Sequence, residues 1–147
     1  MAEGGRLSRT RYVFNVSRQS FLSLGVAVAD TPLARLRGLL GRMRLRPNEG
    51  LWVVPSRGIH TFGLRSPIDV IYLDGSQRVL HIIEHLSPLR IAGLRMQSHS
   101  VLELPAHAIW GSGTQVGDQL FIARPEEMEA YWNSQAAAAP AAGAKGA

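Results

Sequence analysis

Apolar and polar positions alternate, imperfectly, from Ser20 in SFLSLGVAVAD, and the small and branched apolar residues there predict a β-strand. The period then changes. Thr31 can cap a helix and Pro32 can open it, and Leu33, Leu36, Leu39 and Leu40 follow at helical spacing, so PLARLRGLLGRM predicts one short amphipathic helix. Gly38 and Gly41 weaken that helix by about 1 kcal/mol each relative to alanine, which asks for close packing or an early end. Beyond Pro47 the pattern is β. EGLWVV is a short apolar run, and PIDVIYLDGSQRVLHIIEHL predicts two strands joined at Asp74-Gly75. SHSVLELPAHAIW and QLFIAR predict further strands around the glycine-rich loop GSGTQVGD. PEEMEAYWNS opens with proline and two acids and predicts a helix docked through Met128, Tyr131 and Trp132.

Many short strands separated by turn signals predict a mainly β domain at the α+β margin, a compact β-sandwich or barrel carrying a helix in its N-terminal half and another at its C-terminal end. The expected organisation is a basic flexible arm over residues 1–18, one compact domain over 19–134, and a disordered Ala/Gly/Pro tail over 135–147. A chain of 147 residues with 46% hydrophobic content suffices for one core. It has no apolar run of membrane-spanning length and no signal-peptide core near its start, so a soluble cytoplasmic protein is expected. The absence of cysteine removes disulfides, thiol nucleophiles and thiolate metal sites.

The net charge of +5 is uneven: residues 1–46 hold nine arginines against Glu3 and Asp30, whereas residues 47–135 carry more acid than base. Such an arm can attract RNA or an anionic membrane surface through counterion release. No aromatic stacking platform accompanies it, and arginine outnumbers lysine fifteen to one, so a solvated surface is the plainer reading.

Two carboxylates stand inside apolar strands: Asp69 between Ile68 and Val70, and Glu103 between Leu102 and Leu104. If either points inward it needs a partner, because an isolated ionised carboxylate in an apolar interior is prohibitively costly. Arginine is the best available, and Arg37, Arg42 and Arg65 are the candidates for a buried brace. A catalytic reading uses the same atoms, with His60 oriented by Asp69 as general base or metal ligand and Glu103 beside them. The chain has no G-x-S-x-G elbow, no phosphate loop and no H-E-x-x-H. His81 and His85 would stand about 13 Å apart on a strand, so they do not form a mutual metal site. Nothing in the spacing brings His99 or His107 to His60, and no metal or cofactor is expected.

The segments ARLRGLLGRMRL, NEGLWVV, IHTFGLRSPIDVIYLD, VLELPA and VGDQL resemble, in order and spacing, the small bacterial and archaeal domains known as domain of unknown function 192. The likeness runs from about Ala34 to Leu120. It implies a compact, mainly β domain with a short helix packed on it and no settled activity. It singles out Arg37, Gly38, Arg42, Gly50, Pro67, Asp69, Glu103, Gly117 and Asp118. The chain departs from the family in having Gly38-Leu39-Leu40 for a Gly-Leu-Met triplet, Phe62-Gly63-Leu64-Arg65-Ser66 for a Trp-Met-Lys-Asn-Thr-like stretch, and His107 where glycine is usual. The His60-Thr61-Phe62 variant resembles a subgroup.

Three functional readings follow. The favoured one is a non-catalytic binding or accessory domain in which Arg37, Arg42, Asp69 and Glu103 line a polar cleft for a small anionic ligand or a peptide. The others are a hydrolase using His60, Asp69 and Glu103, and a protein held on RNA or a membrane surface by its basic arm.

Overall fold

β5 (Ile68–Leu73) and β6 (Val79–Leu86) form the hairpin expected around Asp74-Gly75. The Asp74 carboxylate holds the turn, accepting the backbone N–H groups of Ser76 at 2.8 Å and Arg78 at 2.9 Å. The computed structural model describes residues 10–31, 45–60 and 65–140, with the backbone alone for Ile59 and His60. β8 (Ser100–Pro105) flanks β5 on its other side, followed by β3 (Glu49–Val53), β2 (Ser20–Ala29), β1 (Thr10–Asn15) and β9 (Leu120–Ala123), giving the order β6-β5-β8-β3-β2-β1-β9. β2 and β3 pair in parallel and the other neighbours are antiparallel.

The sheet curls until its two edges approach each other. Arg78, just before β6, bridges Gln119, just before β9; the Val79 N–H donates to the Asp118 carbonyl and the Leu120 N–H to that of Gln77. The fold is therefore a half-barrel joined at one corner, which satisfies edge groups that would otherwise invite foreign strands. β4 (Ile59–His60) and β7 (Ile91–Ala92) make a separate two-stranded ribbon.

Three apolar clusters cover the sheet. Val13, Leu22, Val26, Ile71, Leu73, Leu102, Leu104 and Leu120 fill the interior, with Ile109 of α1 (Ala108–Ser112) packed among them. On the outer face, Leu45 and Ala92 cover Leu51, Val53, Val70, Tyr72 and Val101, while Met128 of α2 (Pro125–Ala138) covers Phe14 and Ala123. β5 is consequently buried along its whole length, which is why its sequence reads as a nearly unbroken apolar run.

Four expectations are corrected or bounded. The flexible arm cannot extend over 1–18, because Thr10–Asn15 is strand β1 and buries Val13 and Phe14 between β2 and β9. AHAIW does not continue the strand: His107 takes a left-handed backbone (φ 76°) after Pro105, and α1 begins there. The alanine-rich tail is helical as far as Ala138, in keeping with alanine's helix propensity. The helix expected over PLARLRGLLGRM lies outside the described residues, as do Arg37 and Arg42.

Candidate functional site

Asp69 pairs with Leu104 across β5 and β8, so its side chain enters the interior beside Ile71, Leu102 and Leu104. Glu103 pairs with Val70 on one side and Leu51 on the other, and therefore faces the outer cluster. The two carboxylates lie on opposite faces of one sheet. His60 pairs with Ile91 in the β4–β7 ribbon, and its side chain lies outside the described residues. The structure thus does not bring Asp69 and Glu103 into one catalytic group or one cleft, since successive side chains of a strand alternate in direction.

Within the apolar interior Asp69 must be fully bonded, and it is. Oδ1 accepts the His85 backbone N–H at 3.0 Å, and Oδ2 accepts that of Ile109 at 2.9 Å. Both donors come from irregular backbone. Ile68 pairs with Leu86 and Val70 with Ile83, leaving Glu84 and His85 opposite Asp69 alone, a β-bulge whose extra N–H would otherwise be unpaired. Ile109 lies in the first turn of α1, and the N-cap residue His107 makes no side-chain cap bond to it. The brace is therefore carboxylate to backbone. Of the arginines expected as its partner, Arg65 is solvent-exposed, and Arg37 and Arg42 are outside the described residues.

Tying the bulge to the helix start places His85 against His107. His85 Nε2 lies 3.3 Å from His107 Nδ1, and the rings meet edge to face with centroids 4.4 Å apart. Both residues have left-handed backbone, φ 55° and 76°. At 107 the chain carries histidine on a conformation that glycine adopts at lower cost, and departures of that kind gather at functional positions. The pair borders a cleft of about 370 Å³ whose other walls include Pro47, Pro67, Pro105 and Ser66. A wider groove of about 570 Å³ lies beside α2, but its charged lining is Glu126 and Glu129, which suits an anion poorly.

Glu103 is buried with Oε2 unpartnered, and burial pushes its carboxyl up to about 8, so it is protonated at neutral pH. A neutral acid under an apolar cover is not a general base. His81 accepts a hydrogen bond from Arg95 at 2.9 Å, and among the described residues no three His, Asp or Glu side chains cluster as metal ligands. Two motif residues are structural. Gly117 has φ 92°, and Asp118 beside it accepts Asn15 Nδ2, Arg18 Nε and the Gln115 N–H. The histidine pair escapes sequence reasoning because a bulge and a helix start create it; the departure from glycine at 107 is the one signal that points there.

The family model described as "Uncharacterized ACR", that of domain of unknown function 192, matches residues 13–122. The chain belongs to this family. Within it, the chain is 30% identical over 113 residues to a UPF0127 protein of Thermococcus sibiricus, covering 71% of this chain and 70% of that one. Two crystal structures share the fold. One, from Sinorhizobium meliloti, is titled as a candidate transcription regulator and superposes with TM-score 0.66 at 23% identity, covering 76% of this chain and 91% of that one. The other, a protein of unknown function from Novosphingobium aromaticivorans, gives 0.65 at 20% identity, with 76% and 83% covered.

Proposed function

We propose that this family member is a non-catalytic binding domain, and that its cleft beside His85 and His107 takes a small anionic ligand or the carboxyl end of a peptide. The observation that carries the reading is the complete use of Asp69 on two backbone N–H groups. Both oxygens of this inward carboxylate are spent on building the cleft wall, which leaves Asp69 without a proton-transfer role. A largely apolar concavity with a few convergent polar groups is the usual form of a small-ligand site. With one N–H used between the rings, the ring that accepts it keeps an N–H on its outer nitrogen, His107 Nε2 or His85 Nδ1 according to the tautomer, to donate to an oxygen ligand. A DNA-binding role of the kind a transcription regulator such as the Sinorhizobium neighbour would need finds little support in α2, which carries Glu126, Glu127 and Glu129 and no lysine or arginine.

The test is a thermal-shift and NMR screen of the full chain against small carboxylates and short peptides with free carboxyl ends. Members of one ligand class should raise Tm and move the imidazole resonances of His85 and His107. In the double variant His85→Asn, His107→Gly, whose residues tolerate left-handed backbone, the unliganded Tm should hold while the ligand response is lost. Binding that leaves both imidazoles unmoved, or turnover of a bound compound, would overturn the reading.

A further inference from the structure

Residues 89–96 place four large apolar side chains in solvent within eight positions: Leu89, Ile91, Leu94 and Met96 are 71, 72, 78 and 71% exposed. Scattered exposed apolar residues are ordinary, but four within eight positions of one loop concentrate apolar surface there, as interaction surfaces do. The loop is also held firmly. Ala92 is buried against the outer cluster, the Tyr72 hydroxyl donates to the Gly93 carbonyl at 2.8 Å, and the Arg95 N–H donates to the Arg57 carbonyl at 2.8 Å. The Arg95 side chain lies over the Tyr72 ring, 5.9 Å from its centroid, and donates to His81 Nε2. Burial, and then the charge of Arg95, lower the pKa of His81, which keeps its ring neutral and able to accept that bond. With Ala92 turned inward, its neighbour Ile91 is turned outward.

Charge decides among the possible occupants. Residues 87–98 contain Arg90 and Arg95 and no acid, and the exposed Arg57 adjoins them through its backbone. A second copy docking symmetrically through this face would set these arginines against their own equivalents. RNA offers nothing to four aliphatic side chains, and the loop has no aromatic ring on which a base could stack. A bilayer rich in anionic lipid satisfies both components, taking apolar side chains at the headgroup–acyl boundary and arginines at the phosphates.

We propose that residues 89–96 are a peripheral membrane anchor, inserting Leu89, Ile91, Leu94 and Met96 into an anionic bilayer, with the exposed Arg57 against its phosphates and the charges of Arg90 and Arg95 adding attraction to the surface. The anchor is distinct from the basic N-terminal arm, because it needs the apolar side chains and not charge alone.

The experiment is co-sedimentation of the full chain with vesicles of phosphatidylcholine alone or containing roughly one-third phosphatidylglycerol. The wild type should bind the anionic vesicles. The double variant Ile91→Ser, Leu94→Ser should bind them about tenfold more weakly with unchanged Tm, since both side chains are in solvent, while the exposed-site control Trp110→Ser should bind as wild type. Should the double variant fold poorly, Leu94→Ser alone should show the same ordering with a smaller step. No binding to anionic vesicles, equal binding by the loop variants, an equal loss in Trp110→Ser, or a wild-type dimer that the double variant dissociates would each overturn the proposal.

Discussion

A carboxyl group inside the curled sheet needs a cation or backbone N–H groups to satisfy its oxygens, and Asp69 takes the second course. That choice sets the consequence of changing it. Asp69→Asn keeps the size but has one oxygen, so one of the two N–H groups would face an amide NH₂ and lose its partner. We expect a loss of about 2 kcal/mol in urea unfolding, with broadened imidazole signals from His85 and His107 as bulge and helix start loosen. A variant as stable as wild type would show that Asp69 does not brace the site. That Asp69 interrupts an apolar run was legible in PIDVIYLD, but its direction was not. Its partners were not legible either, because backbone donors leave no mark on sequence.

At the level of elements, β3 and β8 approach closely at Gly50. A Cβ there would lie 2.8 Å from the Glu103 carbonyl oxygen and 2.9 Å from Leu104 Cδ2, and neither the strand backbone nor a buried leucine can easily give way. Gly50→Ala should therefore cost about 1–3 kcal/mol by overpacking, whereas Gly75→Ala, with nothing within 4 Å, should change stability far less; paired denaturation curves would show the contrast. The hairpin of β5 and β6 was legible because runs rich in branched and aromatic residues flank a strong turn dipeptide. α1 was not. A five-residue helix has almost no periodicity, and AHAIW becomes helical only because His107 reverses the chain after Pro105.

For the whole molecule, two carboxyls shifted in opposite directions shape stability against pH. Glu103 is raised from 4.5 to about 8 by burial, so its contribution is fully present below 4.5 and is lost as the pH climbs through 8. For Asp118 burial acts upward, but the bonds from Arg18, Asn15 and the Gln115 N–H outweigh it and hold the carboxyl below its ordinary 3.8. Its contribution is present above 3.8 and is lost as the pH falls through the depressed value. Wild-type stability should decline between pH 5 and 8 by an amount on the order of a few kcal/mol, and Glu103→Gln should flatten that limb, while Asp118→Asn should alter the acid limb and leave the alkaline one. Unfolding free energies across pH for the three proteins check this; a wild-type curve already flat from pH 5 to 8 would mean Glu103 is ionised or hydrated in the fold.

The sequence by itself determined the class of the fold and most of its strands, and it marked Asp69 and Glu103 as carboxylates set in apolar runs, because strand period, turn chemistry and the cost of burying charge are local properties written in short windows. Tertiary structure decided the rest. β1 is core only because β2 and β9 take it between them, and β5 is buried on both faces only because the sheet is covered outside as well as filled inside. Asp69 and Glu103 part company because two strands in a fixed register turn them to opposite faces. His85 and His107, twenty-two residues apart, meet because one carboxylate holds a bulge and a helix start together, and that convergence exists only when the chain has closed on itself.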